Sequence, residues 1–214
     1  MPYHFLKEIF DRAKFPFILD KEKEEKFCIY LEELQKWNKK INLTSIKDND
    51  EIIEKLFLDS VFFLKFFNIE PGSYCLDIGS GAGFPGIPIK IMSQEINLFL
   101  LEATKKKVSF LKHISRILSL EKIHIVNKRL EEISNDKNFF GKFELIITRA
   151  VSPSLKLITD SYKLLSKKGV LIYFGGENPK RNFIVEKNFF ATSDLKTYQL
   201  PLSKLNRTLI IFRK

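Results

Sequence analysis

Apolar and polar positions follow two rhythms along the chain, and the change between them falls near residue 70. Between Lys21 and Ile41, apolar residues recur at Phe27, Tyr30, Leu31, Leu34 and Ile41, with charges between them. This i, i+3, i+4 stripe predicts an amphipathic helix, and Asp20 is placed to cap its first turn. Asn42-Leu43-Thr44-Ser45 breaks the pattern. Asn49 or Asp50 is then expected to cap a second helix, rich in Leu and Phe, that runs to about Phe67. Pro71-Gly72 reads as a turn.

Beyond that turn, short apolar runs alternate with helical patterns. Strands are expected at Tyr74–Ile78, Asn97–Leu101, Ile123–Val126, Phe143–Thr148 and Val170–Phe174. Helices are expected up to about Met92, from Lys105 to Leu118, from Ser154 to Ser166 with Gly169 closing it, and from Asn178 to Lys187. Apolar runs at Lys196–Leu200 and Thr208–Phe212 read as a closing strand pair. The alternation predicts an α/β fold: a Rossmann-like, mostly parallel, doubly wound sheet of seven strands. The expected organisation is one structural domain, with a helical extension (1–70) packed on an α/β core (71–214).

Composition adds a partner class. Of the 214 residues 44% are hydrophobic, enough for an ordinary core, and the 21 Phe mostly read as core filler. The formal net charge of +10, carried by lysines along the whole chain, implies an acidic partner, with nucleic acid somewhat favoured over a membrane surface or an acidic protein. Cys28 and Cys75 give neither a disulfide framework nor zinc spacing, and no metal site is expected. No signal peptide or long apolar span stands out, so a soluble, cytoplasmic monomer is expected.

The stretch with the clearest chemistry is CLDIGSGAGFPGIP, Cys75 to Pro88. Gly79, Gly81 and Gly83 let the backbone approach a ligand closely. A literal G-x-G-x-x-G is present, but Pro85 and Pro88 remove N–H donors that a pyrophosphate would use. Asp77 ahead of the glycines suits a ligand with a cationic or amino group. D-x-G-x-G-x-G is the first motif of the class I methyltransferases, whose cofactor, S-adenosylmethionine, carries both a sulfonium and an amino group.

Glu102, ending the second strand, is placed to accept from both ribose hydroxyls, a feature common to NAD and S-adenosylmethionine enzymes. Leu130 and Glu131, after the third strand, stand where an adenine would lie, although an acidic helix start explains Glu131 and Glu132 equally well. Arg149, ending the fourth strand, is poised for a cofactor carboxylate or an RNA phosphate. Trp37 beside Lys39 and Lys40 reads either as packing of the extension or as a stacking element near RNA. Lys105, Lys106 and Lys107 read as a phosphate-binding face or as a solvated one.

Five segments in the same order carry a family resemblance: WNKKINLT at Trp37–Thr44, LDS at Leu58–Ser60, DIGSGAGFPGIP at Asp77–Pro88, LLE followed by KK within Leu100–Lys107, and TRA at Thr148–Ala150. The chain resembles the bacterial small-subunit rRNA guanine-N7 methyltransferases (RsmG, or glucose-inhibited division protein B) over about residues 25–175. The resemblance implies transfer of a methyl group from S-adenosylmethionine to N7 of one guanine of 16S rRNA, position 527 of the conserved loop. The substrate would be presented in the 30S subunit or an assembly intermediate. It assigns Gly79, Phe84, Leu130, Glu131 and Arg149 to the cofactor, and Glu102 joins them from the fold class.

Three positions depart from the family. Leu56 stands where a His is usual, Gly175-Gly176 where Lys-Gly is usual, and Thr148 where the triplet often begins with Ser. Guanine N7 already presents a lone pair, so no general base is required. Catalysis would rest on in-line positioning, with Asp59 a candidate for favouring the positive charge that develops on guanine and Arg149 a candidate beside it. Two other classes fit parts of the pattern: an NAD-dependent oxidoreductase, and a non-catalytic rRNA-binding protein with a methyltransferase fold.

Overall fold

The computed structural model describes residues 4–14, 19–149, 151, 154–176 and 190–214. The helix expected over 178–187 and Ala150 of the TRA triplet lie outside them.

The extension begins with α1 (His4–Arg12) and α2 (Lys21–Asn38). Asp20 caps α2 through an acceptor bond from the Lys23 N–H at 2.9 Å, and Phe27, Cys28, Tyr30, Leu31 and Leu34 bury its apolar stripe. The next helix starts one residue earlier than expected. Asp48 is the cap, extended at ψ 136°, and accepts from the Glu51 N–H at 3.0 Å. Nor does that helix continue unbroken to Phe67. It passes from α3 (Asn49–Ile52) into a π-helical turn (Ile53–Leu58), then α4 (Asp59–Val61) and a 3-10 turn that ends at Lys65. The wider turn lies where buried Glu54 must reach across to accept from the Leu202 and Ser203 N–H groups, a demand set by a distant segment.

The core alternates β1 (Tyr74–Ile78), α5 (Gly86–Met92), β2 (Asn97–Leu101), α6 (Lys105–Ile117), β3 (Ile123–Val126), α7 (Leu130–Ile133), β4 (Phe143–Arg149), α8 (Leu155–Leu164) and β5 (Leu165–Gly175). An antiparallel pair, β6 (Thr192–Gln199) and β7 (Asn206–Arg213), closes the seven-stranded sheet in the order β3-β2-β1-β4-β5-β7-β6. Strands β1 to β5 run parallel, buried between α2, α5 and α6 on one face and α7 and α8 on the other.

α8 stops two residues short of the expected end, and β5 begins at Leu165, five residues early. Gly169 therefore does not close the helix. It sits in a register shift in which Phe143 pairs with Leu165 but Leu145 pairs with Val170. A Cβ there would come within 2.8 Å of the Phe143 carbonyl, so the bulge requires glycine.

The order of strands reverses between β1 and β4, the switch point where open α/β sheets bind ligands at their carboxyl edge. At that edge Ile78 is level with Leu101 on one side and Thr148 on the other. Helix α2 climbs from the opposite edge, where Gln94 donates to Glu22, up to the loop that follows β1, where Tyr30 lies.

Candidate active site at the carboxyl edge of the sheet

The glycine loop leaves β1 and folds back on itself. Gly79, Gly81 and Gly83 all have positive φ, at +73°, +58° and +95°. The Gly79 and Ser80 N–H groups donate to the Leu101 carbonyl of β2, and Gly83 N–H returns to the Ser80 carbonyl. Gly83 is packed from below: a Cβ there would stand 2.6 Å from the Tyr30 hydroxyl. Tyr30 is fully buried, donates to the Ala82 carbonyl, and stacks on Phe84 with ring centroids 5.3 Å apart. Gly81 faces the other way, where a Cβ would meet only the Gly79 carbonyl at 3.8 Å. The loop is thus closed toward the extension and open on the side where a ligand would lie.

Asp77 lies beneath this loop, fully buried. Its Oδ2 accepts from the Gly86 N–H at 3.0 Å and its Oδ1 has no hydrogen-bond partner. Burial pushes its carboxyl up to about 7, with nearby Glu102 adding to the rise and the Gly86 bond and Arg149 opposing it.

The start of α5 has no donors left for a phosphate. Gly86 N–H goes to Asp77, Ile87 N–H to the Gly83 carbonyl, Ile89 N–H to the Pro85 carbonyl, and Pro85 and Pro88 have none. A pyrophosphate would find no free backbone N–H in that turn.

Glu102, at the end of β2, braces two loops. Its Oε2 accepts from Gly81 N–H at 2.9 Å and its Oε1 from Thr104 N–H at 2.7 Å. Each oxygen keeps a lone pair, so the carboxylate can still accept from a diol. Asn127 fixes the backbone below it, donating to the Glu102 and Ala103 carbonyls at 2.9 and 3.0 Å. Beyond β3, Leu130 packs on the core and Glu131 pairs with Lys156 at 3.3 Å, while Glu132 accepts from the Arg129 N–H to start α7. The hydrogen bonding within Glu131's own residue, followed by Lys156, holds the Glu131 carboxyl below its ordinary range.

Arg149 ends β4 and turns toward the extension. It donates to the Lys55 carbonyl at 2.5 Å and to Ser60 Oγ at 3.3 Å, and lies 3.6 Å from Asp59 Oδ2. Asp59 is buried and already engaged: Tyr198 donates to Oδ1 at 2.6 Å and Arg207 to Oδ2 at 3.1 Å. The LDS and TRA segments, 89 residues apart at Ser60 and Arg149, therefore meet in one cluster.

Trp37 packs on α6, with its ring 5.5 Å from Phe110 and 5.0 Å from His113, which supports the packing reading. Asn38 ties the following loop together, accepting from the Leu43 and Thr44 N–H groups and donating to the Thr44 carbonyl. A groove of about 1130 Å³ opens between this loop and the end of α2, lined by Gln35, Lys36, Lys39, Asn42, Thr44 and Lys47 among others. Lys39 and Lys40 are exposed, as are Lys105 and Lys106 at the start of α6. Lys105 and Lys106 begin α6 just after β2 and so stand at the carboxyl edge, whereas Lys39 and Lys40 follow α2, whose end packs beside Phe110 and His113 of α6. Among the described residues, no group of His, Cys, Asp and Glu is arranged to hold a metal ion, and no helix is long and apolar enough to cross a membrane.

Three side chains of the site are not evident from the sequence motifs. Tyr30 looks like one more member of an apolar stripe, and only its polar tip hints otherwise. Tyr198 and Arg207 sit in the C-terminal hairpin, where antiparallel register sets them opposite each other.

Solved structures with this fold include a SAM-dependent methyltransferase from Aquifex aeolicus, with TM-score 0.56 and 14% identity over 76% of this chain and 93% of that one. M. jannaschii TYW2 in complex with AdoMet aligns with TM-score 0.54 and 15% identity over 72% of this chain and 74% of that one. At these identities they show the fold. Sequence relatives are nearer. Ribosomal RNA small subunit methyltransferase G of Caldanaerobacter subterraneus subsp. tengcongensis is 37% identical over 89% of this chain and 81% of its own length. The enzyme of the same name from Lachnoclostridium phytofermentans is 34% identical over 92% and 83%. The profile of the GidB family, described as rRNA small subunit methyltransferase G, matches residues 23–211, which takes in the extension from α2 onward, the glycine cradle and most of the closing hairpin. The chain belongs to the rRNA small subunit methyltransferase G family.

Proposed function

We propose that this protein methylates 16S rRNA at N7 of a single guanine, position 527 of the conserved small-subunit loop, using S-adenosylmethionine. The observation that carries this reading is the family match across residues 23–211. The residues present fit the cofactor: the cradle is open at Gly81, Glu102 has lone pairs for a ribose diol, and Asp77 braces the loop from beneath through the Gly86 N–H. The used-up N–H groups of α5 weigh against a dinucleotide.

The cofactor supplies an electrophilic methyl group. The chain supplies position. Gly81 allows close approach while Gly79 and Gly83 let the loop turn and pack on Val151 and Tyr30; Glu102 orients the ribose, and Phe84, Leu130 and Glu131 bound the nucleoside. Arg149 is directed at the carboxylate of the amino-acid moiety. N7 has its own lone pair and no proton to lose, so no side chain would have to act as a base; the chain's part would be to hold N7 in line with the methyl group, which leaves the sulfonium as a neutral thioether departs. RNA is held by Lys105, Lys106 and Lys107 at the carboxyl edge and by Lys39 and Lys40 after α2, with Trp37 fixing α2 so that its terminal lysines stay in place. The groove beside Lys36, Lys39 and Lys47 suits a stretch of RNA next to the target base.

The test supplies tritiated S-adenosylmethionine with 30S subunits, naked 16S rRNA or protein as acceptor. Label in RNA with either RNA acceptor supports the reading. Label in protein alone, or no transfer despite cofactor binding, overturns it.

A further inference from the structure

The LDS segment has one side chain that the reaction as proposed leaves without a defined part. Asp59 is 3% exposed and lies between two guanidinium groups, Arg149 at 3.6 Å and Arg207 at 3.1 Å. Tyr198 supplies a third donor, and its ring is fixed by stacking on Phe62 at 4.1 Å. Each carboxylate oxygen already accepts a bond from within the protein, Oδ1 from Tyr198 and Oδ2 from Arg207. The cluster of one acid and two guanidinium groups carries a surplus positive charge, and both arginines are only 18% exposed. A surplus charge held away from water is costly until an anion completes it.

The cluster sits where that anion would be wanted. Arg149 is level with Phe174 near the end of β5, and Thr208, next to Arg207, is level with Gly175. The four members come from three parts of the chain: α4, the end of β4 and the β6–β7 hairpin. Arg149 is further oriented by the Lys55 carbonyl in the π-helical turn and by Ser60.

We propose that Asp59 is a positioning residue for Arg149, and that the C-terminal hairpin, through Tyr198 and Arg207, sets Asp59 in place. The guanidinium is thereby held ready at the carboxyl edge for the carboxylate of the cofactor's amino-acid moiety. This rests on the S-adenosylmethionine reading above.

Calorimetric titration with S-adenosylmethionine tests it on the full chain in a double-mutant cycle of Asp59→Asn and Arg149→Lys. Each single variant is expected to weaken binding about tenfold or more, and the double variant to be no weaker than the worse single. Tyr198→Phe keeps the stacked ring and all the charges. It is expected to weaken cofactor binding a few-fold and to raise KM for S-adenosylmethionine while KM for 30S subunits stays unchanged. Asp59→Glu should recover part of the loss. Single effects that multiply in the double variant overturn the proposal, as does lowered melting temperature with unchanged cofactor affinity. If Asp59→Asn does not fold, the cycle is run with Tyr198→Phe in its place and the same criterion applies. A wild-type protein without affinity for S-adenosylmethionine defeats the cofactor reading itself and the proposal with it, a different result from wild-type binding with an additive cycle.

Discussion

Asp77→Asn should make the protein more stable and less able to bind its cofactor, with a pH dependence that identifies the cause. The carboxyl is raised from 3.8 to about 7, chiefly by burial. At about 1.36 kcal/mol per unit, the buried charge costs about 4 kcal/mol above pH 7. The sign follows from the proton count. Below pH 3.8 both folded and unfolded chains hold the proton, and the group contributes nothing. Between 3.8 and about 7 the unfolded chain has released it while the folded chain keeps it, so stability falls as pH rises. Above 7 the loss is complete.

Asn keeps an acceptor for the Gly86 N–H, and the rise to about 7 already includes the opposing effect of that bond. The net gain expected at pH 8 is therefore about 4 kcal/mol, or about 8–16 °C in melting temperature for a chain of this size. Thermal unfolding of both proteins from pH 4 to pH 8 checks it. The melting temperatures should coincide at the acid end, diverge toward pH 7 and then stay a constant distance apart. Calorimetry at pH 8 should show S-adenosylmethionine binding weakened about tenfold or more in Asp77→Asn. A variant that is less stable at pH 8, or a difference that does not change with pH, would mean that the buried charge of Asp77 does not destabilise the fold.

Three further outcomes follow from the same geometry. Gly81→Val should abolish cofactor binding while the chain still folds, at a cost of about 1–2 kcal/mol for a side chain at φ +58°; normal binding by that variant would show that the open face of the loop is not the ligand side. Tyr30→Phe keeps the stack on Phe84 but leaves the buried Ala82 carbonyl without its donor, so stability should drop by about 1–3 kcal/mol. Replacing Lys39 and Lys40 together by Ala should weaken RNA binding and lessen the slope of log K against log salt by about 0.7–0.9 per lysine, as followed by filter binding, with cofactor affinity unchanged.

The parallel strands were legible because they are short, nearly continuous apolar runs between turn residues. Tyr74–Ile78, Asn97–Leu101 and Ile123–Val126 have the bounds that the sequence predicts. What local pattern could not supply depends on partners far along the chain. The π-helical turn serves a bond from Glu54 to Ser203, and the early start of β5 follows from the pairing of Leu165 with Phe143. Gly169 looked like a helix stop because glycine serves both helix ends and bulges, and sequence alone does not separate them.

The site divides in the same way. Asp77, the glycines and Glu102 sit at strand ends whose spacing announces them. The supports do not: Tyr30 reaches Ala82 across 52 residues and Arg207 reaches Asp59 across 148. The two prolines were informative at both levels, since their missing donors are part of why the first turn of α5 offers nothing to a phosphate.

The proposed activity is defined by the atom that receives the methyl group. It is tested most directly by incubating 30S subunits that lack the modification with the protein and S-adenosylmethionine, then cleaving the 16S rRNA chemically at 7-methylguanosine and mapping the breaks by primer extension. Primer extension should show one new stop, on the nucleotide 3′ to guanine 527, absent when Gly81→Val replaces the wild-type protein. Methylation at any other atom or nucleotide, or none although the cofactor binds, would contradict that activity.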